Sequence, residues 1–438
     1  MEGQFRPILQ SVVADSLATP VPKLTRRDTR IPGVPAKAIA VIGMRRSGKT
    51  TLLWQLLGDR LASGTARDGL LFVNFEDERL AGMTAADLGV LLEEYYRQHP
   101  EWRGRRAAFF FDEIQVIAGW ERFVRRVLDT ERAEIFLSGS SARLLSREVA
   151  TSMRGRAMEA LVHPFSFREF LRHLGREPGQ KLARLAKAQR SALERDLRLY
   201  LAHGGFPEAA VLHDARDRRD LLRGYVDVVL LRDVIERHEV THPVALRWLT
   251  RHLLANAAGA FSVSKLHGDL KSQGLLVAKD TLHAYLAHLE DAFLVRTLPV
   301  ATGSERRRMV NPRKAYPIDP GLIPLFDRAG RENLGHALET CVMLELERRG
   351  ADLGYVRTAE GFEVDFLARY ADGSEELLQV CAGLDAPATR ERELRALEAA
   401  KREHRGAAMR VISLAPEPPR ELPRGVKFST ASGWLLGE

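Results

Sequence analysis

Apolar and polar positions follow two rhythms along this chain, and each rhythm marks a different part of it. The first third carries short, almost wholly apolar runs: Ala38-Ile39-Ala40-Val41-Ile42, Leu70-Leu71-Phe72-Val73-Asn74-Phe75, Ala107-Ala108-Phe109-Phe110-Phe111 and Glu134-Ile135-Phe136-Leu137-Ser138. Runs of this length without alternation predict strands buried on both faces, as in a parallel sheet. Helical segments separate them, the first opening at Thr51-Leu52-Leu53-Trp54-Gln55-Leu56-Leu57. Strands that alternate with helices and end in polar residues predict a doubly wound α/β sheet, with its ligands at the strand C-termini.

Beyond about residue 180 the helical rhythm takes over. Leu182, Leu185, Leu193, Leu197 and Leu201 form a core-facing stripe, which Gly204-Gly205-Phe206-Pro207 interrupts before a long helix through Tyr225–Asp233. Residues 243–300 predict three short helices and a strand. The first spans Ala245–Asn256, the second is capped by Ser264 and ends near Gly274, and the third runs Asp280–Glu290 ahead of Phe293–Leu298. That order is the order of a winged helix, whose third helix reads DNA in DNA-binding versions. Near the C-terminus a helix from Gly335 to Arg348 precedes strands at Leu353–Arg357, Glu363–Ala368 and Leu377–Cys381.

Composition adds bounds. A chain of 438 residues exceeds one ordinary domain, so about two or three cores are expected. No stretch approaches the roughly 20 apolar residues of a membrane span, and the first residues, MEGQFRPILQ, lack a secretory pattern. The only cysteines, Cys341 and Cys381, are expected to be reduced core thiols, which points to the cytoplasm. The net charge of +8 admits a nucleic-acid partner where the cations cluster, as at Arg306-Arg307-Arg308 with Arg313-Lys314, and at Arg103, Arg105 and Arg106.

Candidate chemistry gathers at the strand ends. Gly43-Met44-Arg45-Arg46-Ser47-Gly48-Lys49-Thr50 has the spacing GxxxxGK[ST] of a phosphate-binding loop, with Thr51 leading into the helix. Its glycines let backbone N–H groups curl around phosphates, Lys49 supplies a point charge, and the Thr50 hydroxyl can ligate Mg²⁺. The helix that follows points its positive end at the same anions. Asp112 and Glu113 end the third apolar strand; Asp112 would organise Mg²⁺ and Glu113 would polarise an attacking water. Ser138 and Ser140 end the fourth strand, where a polar residue can sense the γ-phosphate; helix capping is the plainer role for either. Arg156, like Arg154, is a candidate for the cation that a neighbouring subunit lends to phosphoryl transfer.

The segments GMRRSGKTTLLWQ, NFEDER, FFFDEIQ, GWERFVRRVLD, LSGSSARLLS and MRGRAMEALVHPFSFREF together resemble one bacterial and archaeal ATPase family. Gly204-Gly205-Phe206-Pro207-Glu208, Lys314-Ala315-Tyr316-Pro317-Ile318-Asp319 and Gly361-Phe362-Glu363-Val364-Asp365-Phe366 agree with it. Its members join an AAA-type P-loop NTPase domain to a C-terminal domain of unknown function. The resemblance implies ATP and Mg²⁺ as cofactors and self-association into rings, hexamers among them, that act on DNA by translocation, remodelling or branch migration.

The expected organisation is an N-terminal extension (1–35), an AAA-type core (36–170), a helical lid (171–240), a winged helix (241–310) and a nuclease-like α/β domain (311–438). DNA contacts are expected from Lys279 and His283, with His288 on the same solvent face, and from Arg306, Arg307 and Arg308. The last domain resembles the PD-(D/E)XK nuclease fold, in which Glu339 and Asp365 match metal ligands. Gln379 and Cys381 stand where Glu-x-Lys is expected, so cleavage is not; Glu339 and Asp365 have a structural alternative, pairing with Arg357 or a backbone N–H. Two rival readings are a nucleotide-gated scaffold that binds protein partners and an ATP-fuelled nuclease.

Overall fold

The computed structural model describes residues 5–139, 153, 155–310, 312–326, 333–419 and 421–438. The chain forms two compact units, Met1–Val162 and His163–Glu438.

The first unit is built on five parallel strands, β1 (Ala38–Ile42), β2 (Leu70–Asn74), β3 (Ala107–Asp112), β4 (Ala133–Gly139) and β5 (Ala157–Leu161), in the order β2-β3-β4-β1-β5. Every residue of β1 and β3 is buried, which is why these strands read as unbroken apolar runs. Leu52, Leu53 and Leu56 of the helix Lys49–Ala62 pack on Ile39, Val41, Phe110 and Phe136. The order sets β4 between β1 and β3, so the loop after β1 and the carboxylates after β3 both face the end of β4.

The N-terminal segment belongs to this unit. Leu9, Val12 and Val13 of the helix Arg6–Ala18 are buried, Ser16 Oγ accepts from Phe72 N at 2.9 Å, and Arg6 pairs with Glu94. Val21 and Ile31 pack on the same core as the Lys49–Ala62 helix.

In the second unit the glycines at 204 and 205 have a steric cause. The buried Asp319 carboxylate accepts from Gly205 N at 2.6 Å and Gly321 N at 2.9 Å, and Phe165 N donates to Gly205 O at 2.7 Å. Burial pushes the Asp319 carboxyl up to about 7. Gly204 has φ +79°, and a Cβ on it would overlap that carboxylate. Gly204→Ala is therefore expected to cost roughly 3 kcal/mol or more of stability, from backbone strain and overpacking together. Denaturant unfolding followed by circular dichroism checks this; an unchanged midpoint would mean that the seam relaxes freely.

Three helices follow, Pro243–Ala255, Val263–Ser272 and Lys279–Asp291, with an antiparallel sheet in the order β6-β8-β7 built from β6 (Ala260–Phe261), β7 (Val295–Leu298) and β8 (Arg313–Pro317). The second helix is capped by Ser262, not Ser264: Ser262 is still extended and accepts from Lys265 N at 3.2 Å. A boundary at 310/311 would cut this sheet in two, because β8 pairs with both β6 and β7.

The remaining sheet has the order β13-β12-β11-β10-β9, from β9 (Asp352–Arg357), β10 (Glu363–Arg369), β11 (Glu375–Cys381), β12 (Ala408–Ser413) and β13 (Val426–Thr430). Strands β9, β10 and β11 are antiparallel neighbours, and β11, β12 and β13 are parallel. The helices Leu334–Arg348 and Pro387–Glu403 pack on it, and Pro299–Ala301 pairs with Tyr355 of β9. Cys341 and Cys381 are buried free thiols. Among the described residues, no helix is long and apolar enough to cross a membrane.

Candidate nucleotide-binding site

The chain leaves β1 through Gly43, which has φ +148° and no room for a Cβ beside the Val162 carbonyl. Arg46 (φ +66°) and Gly48 (φ +100°) then turn the loop through the left-handed region before the helix begins at Lys49. Repeated left-handed turns of this kind draw successive N–H groups into a concave anion cradle. Ser47 is fully buried at its base, and its Oγ has no hydrogen-bond partner among the described residues. Lys49 is 5% exposed and lies back across the loop, donating to the Gly43 and Met44 carbonyls at 3.2 Å each.

Across the sheet end, the Thr50 hydroxyl donates to Asp112 Oδ2 at 2.8 Å. Ser138 at the end of β4 donates to Asp112 Oδ1 and accepts from Glu113 N at 2.9 Å, so one hydroxyl joins the Asp112 carboxylate to the backbone of Glu113. Burial pushes the Asp112 carboxyl up, against the lowering effect of the Ser138 and Thr50 hydrogen bonds. Glu113 takes a left-handed conformation, φ +52°, that turns the chain sharply out of β3, and its carboxylate accepts from Gln115 Nε2. A non-glycine residue held there stores strain of about 1–3 kcal/mol, as functional sites often do.

The structure thus brings together Gly43, Ser47, Gly48, Lys49, Thr50, Asp112, Glu113 and Ser138. Arg45 is half-buried with Glu76 at 3.7 Å, Arg46 is exposed, and Thr51 sits half-buried in the helix. Ser140 and Arg154 lie outside the described residues. Arg156 precedes β5 at the end of the sheet opposite the loop: its carbonyl accepts from Ala38 N, at the start of β1, and its guanidinium pairs with Asp129. It stands apart from the loop of its own chain.

Arg27 was not legible in the sequence. It is 4% exposed, its Nη1 donates to Ser47 O at 2.8 Å, and its backbone exchanges hydrogen bonds with the Gln55 side chain at 2.6 and 3.1 Å. The N-terminal segment therefore braces the loop from behind.

The residues expected to meet DNA lie in the second unit. Lys279 opens the helix Lys279–Asp291 and His283 follows one turn on, both exposed. His288 is not on that solvent face: it is half-buried and stacks on His238 with ring centroids 3.7 Å apart. Arg306, Arg307 and Arg308 are exposed on the short helix Glu305–Val310, in the connection between β7 and β8.

The loop, the acidic end of β3 and the strand order together define a P-loop ATPase fold of the AAA type. Residues 35–171 match the model of an AAA domain, and residues 194–332 match a domain of unknown function. An uncharacterized protein of Methanocaldococcus jannaschii is 33% identical over 398 residues, covering 90% of this chain and 85% of that protein. An uncharacterized protein of Haemophilus influenzae is 30% identical over 348 residues, covering 79% and 82%. The chain belongs to this archaeal and bacterial family of AAA-type P-loop ATPases. Among solved structures, a Walker-type ATPase of Pyrococcus abyssi is 15% identical with a TM-score of 0.40, covering 73% of this chain and 95% of that one. The ORC2 protein of Aeropyrum pernix is 15% identical with a TM-score of 0.37, covering 73% and 91%.

Proposed function

We propose that this chain hydrolyses ATP with Mg²⁺ and, as an oligomer, couples hydrolysis to movement or remodelling of DNA. The observation that carries the hydrolytic part is the chain Thr50–Asp112–Ser138–Glu113, in which one hydroxyl ties the Asp112 carboxylate at the end of β3 to the backbone N–H of Glu113 that follows it. Thr50 and Asp112 offer adjacent oxygen donors, the set a hard divalent cation prefers, and the buried Ser47 hydroxyl has capacity left for a phosphate oxygen. Bound Mg²⁺ would supply charge neutralisation at the β- and γ-phosphates. Lys49 exchanges its loop carbonyls for phosphate oxygens, the loop N–H groups hold the developing charge, and Glu113 orients water and accepts its proton. Arg156, turned away from its own loop, serves on this reading only a neighbouring copy in a ring.

The DNA part rests on the three helices with the β6-β8-β7 sheet, which we read as a winged helix. Arg306, Arg307 and Arg308 then stand at the wing, where clustered cations meet phosphates, and Lys279 with His283 share one face of the third helix. Replacing the three arginines by Ala is expected to weaken duplex binding and to lower the slope of log affinity against log salt by roughly two to three. Fluorescence anisotropy over a salt series checks this, and an unchanged affinity and slope would remove DNA contact from the wing.

A further inference from the structure

The nuclease-like part of the second unit has no lysine at the position expected on β11, where Cys381 stands. A lysine reaches the same place from elsewhere. Lys314 lies in the middle of the small sheet, paired with Leu298 of β7 and Ala260 of β6, and its side chain is 4% exposed. Its Nζ lies 3.0 Å from Glu339 Oε1, 3.1 Å from Asp365 Oδ1 and 2.9 Å from Glu363 Oε1. An ammonium has three N–H donors, and here each faces a different carboxylate.

Other donors meet two of the same carboxylates. Tyr316 OH donates to Glu339 Oε1 at 2.8 Å, while Val380 N at 2.9 Å and Gln379 Nε2 at 3.0 Å donate to Asp365 Oδ2. The Gln379 amide also donates to Glu393 at 2.6 Å, and its own Oε1, buried in a residue only 5% exposed, has no hydrogen-bond partner among the described residues. Glu339 and Asp365 are nearly as buried as the lysine, and buried carboxylates without a cation are strongly destabilising. Burial and the neighbouring Asp365 push the Glu339 carboxyl up to about 8. Glu363 and Asp365 alternate on one face of β10, Glu339 comes from the helix Leu334–Arg348, and Lys314 comes from β8. Three carboxylate oxygens, donors of the kind a divalent cation takes, face Nζ from two elements, and the N···O distances are those of hydrogen bonds to an ammonium.

We infer that Lys314 plugs this site: its ammonium holds the cation position between Glu339, Glu363 and Asp365, closes it to divalent metal, and pins β8 to the C-terminal sheet. The domain is thereby a metal-free fastening rather than a nuclease. This inference stands apart from the ATPase reading: its residues belong to the second unit and the phosphate-binding loop to the first.

The test is Mn²⁺ binding to the full chain without nucleotide, followed by electron paramagnetic resonance and by thermal unfolding. Four proteins are compared: wild type, Asp365→Asn, Lys314→Ala and Lys314→Ala/Asp365→Asn. Wild type and Asp365→Asn are expected to bind Mn²⁺ identically. Lys314→Ala is expected to gain one Mn²⁺ site, to melt below wild type, and to recover on adding Mn²⁺; the double variant loses the gained site. A wild-type Mn²⁺ site that Asp365→Asn abolishes would overturn the plug, as would a folded Lys314→Ala that gains no site. If Lys314→Ala does not fold, Lys314→Met keeps the stem volume for the same reading, and the comparison of wild type with Asp365→Asn decides on its own.

Discussion

Glu113→Gln is expected to leave ATP binding intact and to lower turnover roughly 10²–10⁴-fold, the usual contribution of a positioned general base. The amide keeps the size of the side chain and can still meet Gln115, so the left-handed turn at residue 113 and the Ser138 contact to its N–H survive. What it lacks is a lone pair basic enough to take a proton from water. Phosphate release gives the turnover, and a fluorescent ATP analogue gives the affinity. Unchanged turnover would remove Glu113 from its role, and lost binding would make it a structural residue of the loop instead.

Lys49→Ala is expected to act one step earlier, on binding itself. The ammonium is buried and donates to carbonyls of its own loop, Gly43 and Met44. On the proposed reading it meets phosphate oxygens in the complex, and charged hydrogen bonds of this kind contribute about 1.5–3 kcal/mol each. The affinity for ATP should fall by about 10- to 100-fold for one such bond. Turnover should fall further, since the same charge stabilises the transition state. Isothermal titration separates the two effects. A variant that binds ATP as tightly as the parent would show that the loop amides suffice.

The features that were legible in the sequence are those confined to one strand end. Gly43–Thr50 is contiguous, so its spacing alone carries the geometry, and Asp112-Glu113 is marked by the apolar run it terminates. Ser138 was legible as a polar residue at a strand end, although its double contact to Asp112 and Glu113 follows only from β4 lying between β1 and β3. Arg27 was not legible, because an arginine buried by contacts 20 and 28 residues away leaves no periodic trace. Lys314 read as part of an exposed cationic cluster with Arg313, whereas it is buried against three carboxylates, and this escaped for a related reason. The expected lysine lies two residues after an acid on one strand, whereas the observed one belongs to a different sheet and reaches its partners across sequence separations of 25 and 51 residues. His288 reads as solvent-facing from helical spacing and is covered by His238 from outside its helix. Local pattern specified the elements; pairing between distant elements specified which polar groups are buried together.

The central claim is that ATP hydrolysis at this loop does work on DNA, and steady-state turnover of the full chain tests it most directly. Turnover would be measured with and without duplex and branched DNA, at low and moderate salt. The account predicts Mg²⁺-dependent hydrolysis that DNA stimulates, most at low salt and not after Arg306, Arg307 and Arg308 are replaced by Ala. Hydrolysis indifferent to every DNA tested would contradict it and favour the nucleotide-gated scaffold.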